Sequence, residues 1–138
     1  DSAVITHNHP EGIKGAQAVA AAVYWARHGE SKHFIRENIS DLFGYDLSRN
    51  CEQIRPHYRF DHSCQGTVPQ AFAAFFDGES FEDTLRLSIS LGGDSDTLAA
   101  IACSIAEAYY RALPKNMVNA ALARLPDEMV RVLARIPA

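Results

Sequence analysis

Residues 92–111 read GGDSDTLAAIACSIAEAYYR. From Leu98 to Arg111 the residues are small or apolar on every side, the composition of a helix buried among other helices rather than lying on a surface. Gly92 and Gly93 let the backbone turn tightly before it, and Asp94, Ser95, Asp96 and Thr97 are residue types that open helices. Pro114 closes the segment downstream. Working outward, Ser80 with Asp83 three residues later is a helix start, followed by Phe81, Leu85 and Ile89 at four-residue steps. Before it, Val68, Phe72, Phe75 and Phe76 share one helical stripe, closed by Asp77 and Gly78. Beyond Pro114, Met117, Val118, Ala121, Leu122 and Leu125, then Met129, Val130, Leu133 and Ala134, predict two amphipathic helices.

Toward the N-terminus, a helix is predicted from about Glu11 to Arg27. Its apolar positions Ile13, Ala16, Ala20, Val23 and Tyr24 keep helical spacing, and Ala18, Ala21, Ala22 and Trp25 make the other side nearly as apolar, so burial on most faces is expected. Ser31 caps a second helix through Phe43, and Ser48 or Asn50 caps a shorter one ending before Pro56. From Arg55 to Gly66 no clean period survives, the mark of an ordered loop or a turn. No segment sustains strand alternation. The prediction is an all-α chain, an orthogonal multi-helix bundle with residues 1–138 as one domain within a larger all-α domain.

Composition narrows the function classes. The 138 residues are 47% hydrophobic and 22% charged, as in globular domains, which excludes disordered and collagen-like classes. Thirteen Lys and Arg against 17 Asp and Glu leave a net charge of −4, and no basic run offers a footprint for phosphate backbones, so nucleic acid is not expected as a general partner. The longest apolar stretch, Ala16 to Ala26, is too short and Ala-rich to span a membrane. Cys51, Cys64 and Cys103 lack zinc-ligand spacing, which fits a reducing cytoplasm. The chain opens at Asp1 without Met, the expectation for a processed or trimmed product.

Three regions carry candidate chemistry. Asp94, Asp96 and Thr97 offer hard oxygen ligands at the start of an apolar helix; Mg²⁺ or Mn²⁺ takes such ligands, and two Asp one residue apart grip one ion or bridge two about 3.5–4 Å apart. The alternative is simple capping. In THNHPEGIKGA, His7 and His9 precede a helix N-terminus, suited to a small ligand or phosphate, or else to backbone hydrogen bonds. Gly12 to Gly15 is no phosphate-binding loop, since no Gly-Lys pair is followed by Ser or Thr. His57 and His62, with Arg55 and Arg59, line an anionic pocket or remain solvated. Neither Cys64 nor Cys103 has a fixed His partner for nucleophilic catalysis.

THNHPEGIKGA, SCQGTVPQAFAAFF and FEDTLRLSISLGGDSDTLAAIACSIAEAYY, occurring together and in this order, resemble the ADP-ribosylglycohydrolase family, which includes the dinitrogenase-reductase-activating glycohydrolases. The resemblance is strong from Thr6 to about Pro114 and weaker beyond. It implies an all-α fold, a binuclear Mg²⁺ or Mn²⁺ centre, and hydrolysis of the bond joining ADP-ribose to a protein side chain or small acceptor. It further implies Asp94, Asp96 and Thr97 as metal ligands, with Asp94 and Asp96 catalytic and Asp96 bridging. His7 and His9 would contact the phosphate or ribose region, and Gln65, Gly66 and Thr67 would border the adenosine end.

The chain also departs from the family. Family members carry a Thr-Asp-Asp cluster in a first half that completes the metal centre, and no such cluster occurs in these 138 residues. Cys103 and Arg111 stand where related sequences often have Gly. The expectation is therefore the C-terminal half of such a hydrolase, weak or inactive alone, completed by an N-terminal half or by self-association through exposed apolar surface. Two other readings stay open: a non-catalytic ADP-ribose-binding or structural remnant, and a metal-dependent phosphohydrolase using His7, His9, Asp94 and Asp96.

Overall fold

The computed structural model describes Ile5 and residues 8–136; His7 lies outside the described residues. Eight helices follow one another, and no strand occurs among the described residues: α1 (Pro10–Arg27), α2 (Lys32–Phe43), α3 (Cys51–Ile54), α4 (Cys64–Asp77), α5 (Phe81–Leu91), α6 (Ser95–Tyr110), α7 (Lys115–Leu122) and α8 (Asp127–Leu133). The fold is all-α, as the sequence predicts. Helix α6 is the hub, packed against α1, α4 and α5.

Local chemistry sets the helix ends. Ser31 Oγ accepts the Phe34 N–H at 3.1 Å and Ser80 Oγ the Asp83 N–H at 3.1 Å, each satisfying one of the free N–H groups of a first turn. Asn50, rather than Ser48, caps α3, in a reciprocal box with Gln53. In α4, Val68, Phe72, Phe75 and Phe76 are buried as their stripe predicts; fully burying a phenylalanine contributes about 1.5–3 kcal/mol.

The structure corrects several expectations. Helix α1 buries Gly15, Ala18, Ala22 and Ala26 and leaves Ala16, Ala20 and Tyr24 exposed: its small-residue face packs among α2, α4 and α6, with Gly15 against Val68 and Cys64 of α4. Helix α5 buries Thr84, Ser88 and Leu91, while Ile89 is 51% exposed; Ser88 Oγ returns its proton to the Thr84 carbonyl at 2.8 Å, so small polar residues sit in the interface without an unmet donor at Ser88. Helix α6 starts at Ser95, three residues before Leu98, and is not buried all round, since Ala100 and Ser104 are exposed. Helix α4 starts at Cys64, so Cys64, Gln65 and Gly66 are helical rather than loop. Helices α7 and α8 form where expected but bury none of their residues.

Candidate functional site

The turn before α6 is built from two glycines with left-handed backbone, φ 75° at Gly92 and 63° at Gly93. A side chain at Gly93 would be excluded twice over, by that backbone and by space: a Cβ there would lie 2.6 Å from Tyr58 Cε1 and 3.2 Å from the Arg59 carbonyl. The segment 55–63, between α3 and α4, is thereby pressed against the Asp94 turn.

Asp94 is the N-cap residue of α6, yet its side chain makes no capping bond. Its backbone carbonyl accepts the Leu98 N–H at 3.0 Å, the first bond of the helix. The capping role that the residue type suggests is thus unused. The Asp96 carboxyl is held below its ordinary value, chiefly by a hydrogen bond with the Asp94 side chain and then by the N–H groups of Asp96 and Thr97 at the helix start. Asp96 and Thr97 are exposed and Asp94 is half-buried. All three present oxygen, the donor that Mg²⁺ and Mn²⁺ prefer, and the Asp94 carboxyl makes no capping bond to the helix, so these residues fit a hard divalent ion. Among the described residues no group of three or more His, Cys, Asp or Glu side chains converges, so the fit is to part of a coordination shell.

Beside the turn lies a cavity of about 300 Å³ lined by Arg49, Ile54, His57, Tyr58, Arg59, Phe60, Asp61, Gly66 and Gln70. Arg49 and His57 make no ion pair among the described residues, whereas the Arg59 guanidinium donates to the Tyr58 carbonyl at 2.8 Å. Of the expected basic set, Arg55 turns away to Ser90 and His62 packs edge-on against Phe60 at 5.0 Å. Asp61 organises the wall opposite: its carboxylate accepts the Ser63 N–H at 2.7 Å and packs onto Gly66, while its carbonyl accepts the buried Thr67 hydroxyl at 3.0 Å. Burial pushes the Tyr58 phenol up, hydrogen bonding with the Thr67 side chain opposes that rise, and the charges of Asp61 and then Asp94 add to it.

His9 caps α1, its Nδ1 accepting the Glu11 N–H at 3.2 Å. The structure brings His9 and Gln65 into a second cleft of about 440 Å³, together with Asn8, Glu11, Gly12, Ser63 and Cys64. Asp94, Asp96 and Thr97 do not line that cleft. The expected residues therefore fall into three places along the N-terminal ends of α1, α4 and α6: His9 with Gln65, Gly66 with Thr67 and Asp61, and Asp94 with Asp96 and Thr97. Arg49, Tyr58, Asp61 and Gln70 escaped the sequence reading as site residues. The signal for Tyr58 and Asp61 was the aperiodic run from Arg55 to Gly66, which marks a loop without saying which side chains it turns inward; Arg49 and Gln70 lie outside that run and had none.

No helix among the described residues is long and apolar enough to cross a membrane. A family model described as ADP-ribosylglycohydrolase matches residues 1–136. An uncharacterized protein of Archaeoglobus fulgidus is 29% identical over 132 residues, covering 86% of this chain and 43% of that protein. The chain thus spans less than half the length of that relative. No solved structure matches. With that family match running nearly end to end, the chain belongs to the ADP-ribosylglycohydrolase family.

Proposed function

We propose that this chain supplies the metal-binding C-terminal half of a hydrolase that cleaves the N- or O-glycosidic bond between ADP-ribose and a protein side chain or small acceptor. The observation that carries the reading is Asp94, a helix N-cap whose carboxylate is left uncapped beside Asp96. A bound divalent ion supplies charge that orients ribose hydroxyls and a water for attack at the anomeric carbon. Asp94 and Asp96 would hold that ion, Thr97 adding a hydroxyl oxygen. Arg49 and His57 would face the diphosphate, and Tyr58 and Phe60 would wall off the adenosine end, bordered by Gly66 and Thr67. His9 and Gln65 would meet the ligand from the neighbouring cleft.

Three protein ligands hold Mg²⁺ or Mn²⁺ weakly, since Mg²⁺ demands a nearly complete octahedron. Further carboxylates, from a longer protein or a partner chain, would complete a binuclear centre. The three cysteines are free, in keeping with work in the reducing cytoplasm. A second reading is a non-catalytic ADP-ribose-binding remnant, in which the fold is kept without the chemistry.

One assay separates these readings: release of ADP-ribose from an ADP-ribosylated arginine substrate with Mg²⁺, against a chelator and Asp96→Asn. Metal-dependent release lost in Asp96→Asn supports the hydrolase. Release only after a first half is supplied supports the half-site. Binding of ADP-ribose without release under either condition supports the remnant, and a phosphate or nucleotide product would instead indicate phosphohydrolase chemistry.

A further inference from the structure

We propose that the exposed apolar face of α8 docks a second copy of this chain, the two α8 helices lying antiparallel about a two-fold axis. The proposal is independent of the metal reading of Asp94. Helix α8 buries none of its residues and does not pack substantially against α1 to α6. Its apolar positions are nevertheless ordered: Leu125, Met129, Val132 and Ile136 follow steps of four, three and four residues, the seam spacing of paired helices. That seam is open, with Met129 51% exposed, Val132 58% and Ile136 62%. Leu125, Glu128, Met129, Val132 and Leu133 together line a groove of about 550 Å³. Clustered apolar exposure of this kind, edged by charge, marks an interaction surface.

The flanking charges select the occupant. Asp127 and Glu128 stand in the first turn of α8 and Arg131 in its last, with Arg135 just beyond. None of the four makes an ion pair among the described residues. Glu128 and Arg135 each directly precede a seam residue, Met129 and Ile136, so both edge the same side of the seam. When Met129 of one copy lies across from Val132 of the other in an antiparallel pair, Glu128 of each meets Arg135 of the other. A parallel pair would instead set the two Glu128 carboxylates together at one end and the two Arg135 guanidiniums at the other, which repels. The pattern is therefore complementary to itself, as a two-fold interface requires, whereas a uniformly acidic or basic partner would match only half of it.

One short helix a side makes a small contact, so the pairing is of the weak, transient class and is read at high concentration. Sedimentation equilibrium of the unsubstituted chain from about 10 μM to 1 mM should show monomer passing to dimer. Val132→Lys should abolish the dimer. Glu128→Arg alone and Arg135→Glu alone each set like charges across the axis and should weaken it about tenfold. An equimolar mixture of those two variants should regain the parent affinity, because every cross-pair is then of opposite sign. Raising salt from about 0.05 to 0.5 M should weaken the parent dimer and strengthen that of each single variant. Far-ultraviolet circular dichroism of each variant separates lost folding from lost association. A parent chain monomeric up to about 1 mM overturns the proposal and leaves the groove to another occupant, such as further helices of a longer protein. Dimers that survive Val132→Lys put the interface elsewhere and overturn it too, and a mixture no tighter than either variant alone overturns the antiparallel pairing.

Discussion

The Lys32 ammonium, at the start of α2, is hydrogen bonded to the backbone carbonyl of Gly78, 46 residues further along the chain. It also donates to the Phe76 carbonyl at 3.1 Å and lies 5.0 Å from the Phe75 ring centroid and 5.4 Å from that of Tyr110. These two carbonyls are at the end of α4, where a helix leaves acceptors without partners, and Lys32 with the Tyr110 hydroxyl (2.5 Å to Gly78) satisfies them. Lys32→Met keeps the aliphatic stem and removes the donor. The Gly78 carbonyl keeps Tyr110 and the Phe76 carbonyl loses its donor, which should lower stability by about 1–3 kcal/mol, the range for leaving a partly buried acceptor unmet. A urea midpoint equal to that of the parent chain would refute this.

Gly66 and Asp61 make a second pair whose fit is steric. A Cβ on Gly66 would fall on the Asp61 carboxylate, which is fixed by its bond from the Ser63 N–H at 2.7 Å. Gly66→Ala must expel that carboxylate from the wall of the 300 Å³ cavity, and should cost about 1–3 kcal/mol, as overpacking does. Combining it with Asp61→Ser, which shortens the opposing side chain, should recover most of the loss in a double-mutant cycle. Strict additivity of the two substitutions would show that they do not meet.

How much of this was legible in the sequence depends on what carried the signal. Caps such as Ser31 and Ser80 are local, so residue type and spacing found them. The start of α4 was missed because Gln65-Gly66 and Pro69 resemble helix breakers, and only the Ser63 cap, with its Oγ accepting the Gly66 N–H at 3.1 Å, shows that the helix already runs there. The buried faces of α1 and α5 were misjudged for a different reason. Hydrophobicity points to Tyr24 and Ile89, but packing among neighbouring helices selects Ala22 and Ser88, and that packing is a property of the partner helices. For the site, residue types within GGDSDT pointed to Asp94, Asp96 and Thr97, whereas Tyr58 depends on a contact spanning 35 positions from Gly93, which no local pattern records.

Alkaline pH should unfold the chain through its buried acids. Burial first, and then the Asp77 charge, pushes the Cys51 thiol up from 9.0 to about 12, and burial raises Cys103 to about 11. Tyr45 rises from 10.0 to about 12, again mainly by burial. Each folded value lies above the unfolded one, so the folded state keeps protons that the unfolded state releases. The stabilisation is fully present below about pH 9 and declines as pH climbs toward 11 to 12. Lys32, whose value burial lowers, works in the opposite sense and softens the decline. Denaturant midpoints taken from pH 7 to pH 11 should be level at first and then fall, and Cys103→Ala should fall less steeply. A midpoint that rises through this range would contradict the assignment.

Arg111 ends α6 in the left-handed region, φ 54° and ψ 18°, the one non-glycine residue with positive φ among those described. Its N–H still closes the helix on the Glu107 carbonyl at 3.0 Å, so the conformation is needed for the cap whatever residue stands there. A side chain in that conformation costs about 1–2 kcal/mol that glycine avoids. Arginine recovers part of this by donating to the Arg27 carbonyl at 2.6 Å, tying the end of α6 to the end of α1. Arg111→Ala loses that tie and keeps the strain; Arg111→Gly loses the tie and relieves the strain. The glycine variant should therefore be more stable than the alanine variant by about 1 kcal/mol, the reverse of the order in a helix interior. Thermal midpoints in the opposite order would mean that Arg111 lies in ordinary right-handed backbone in solution.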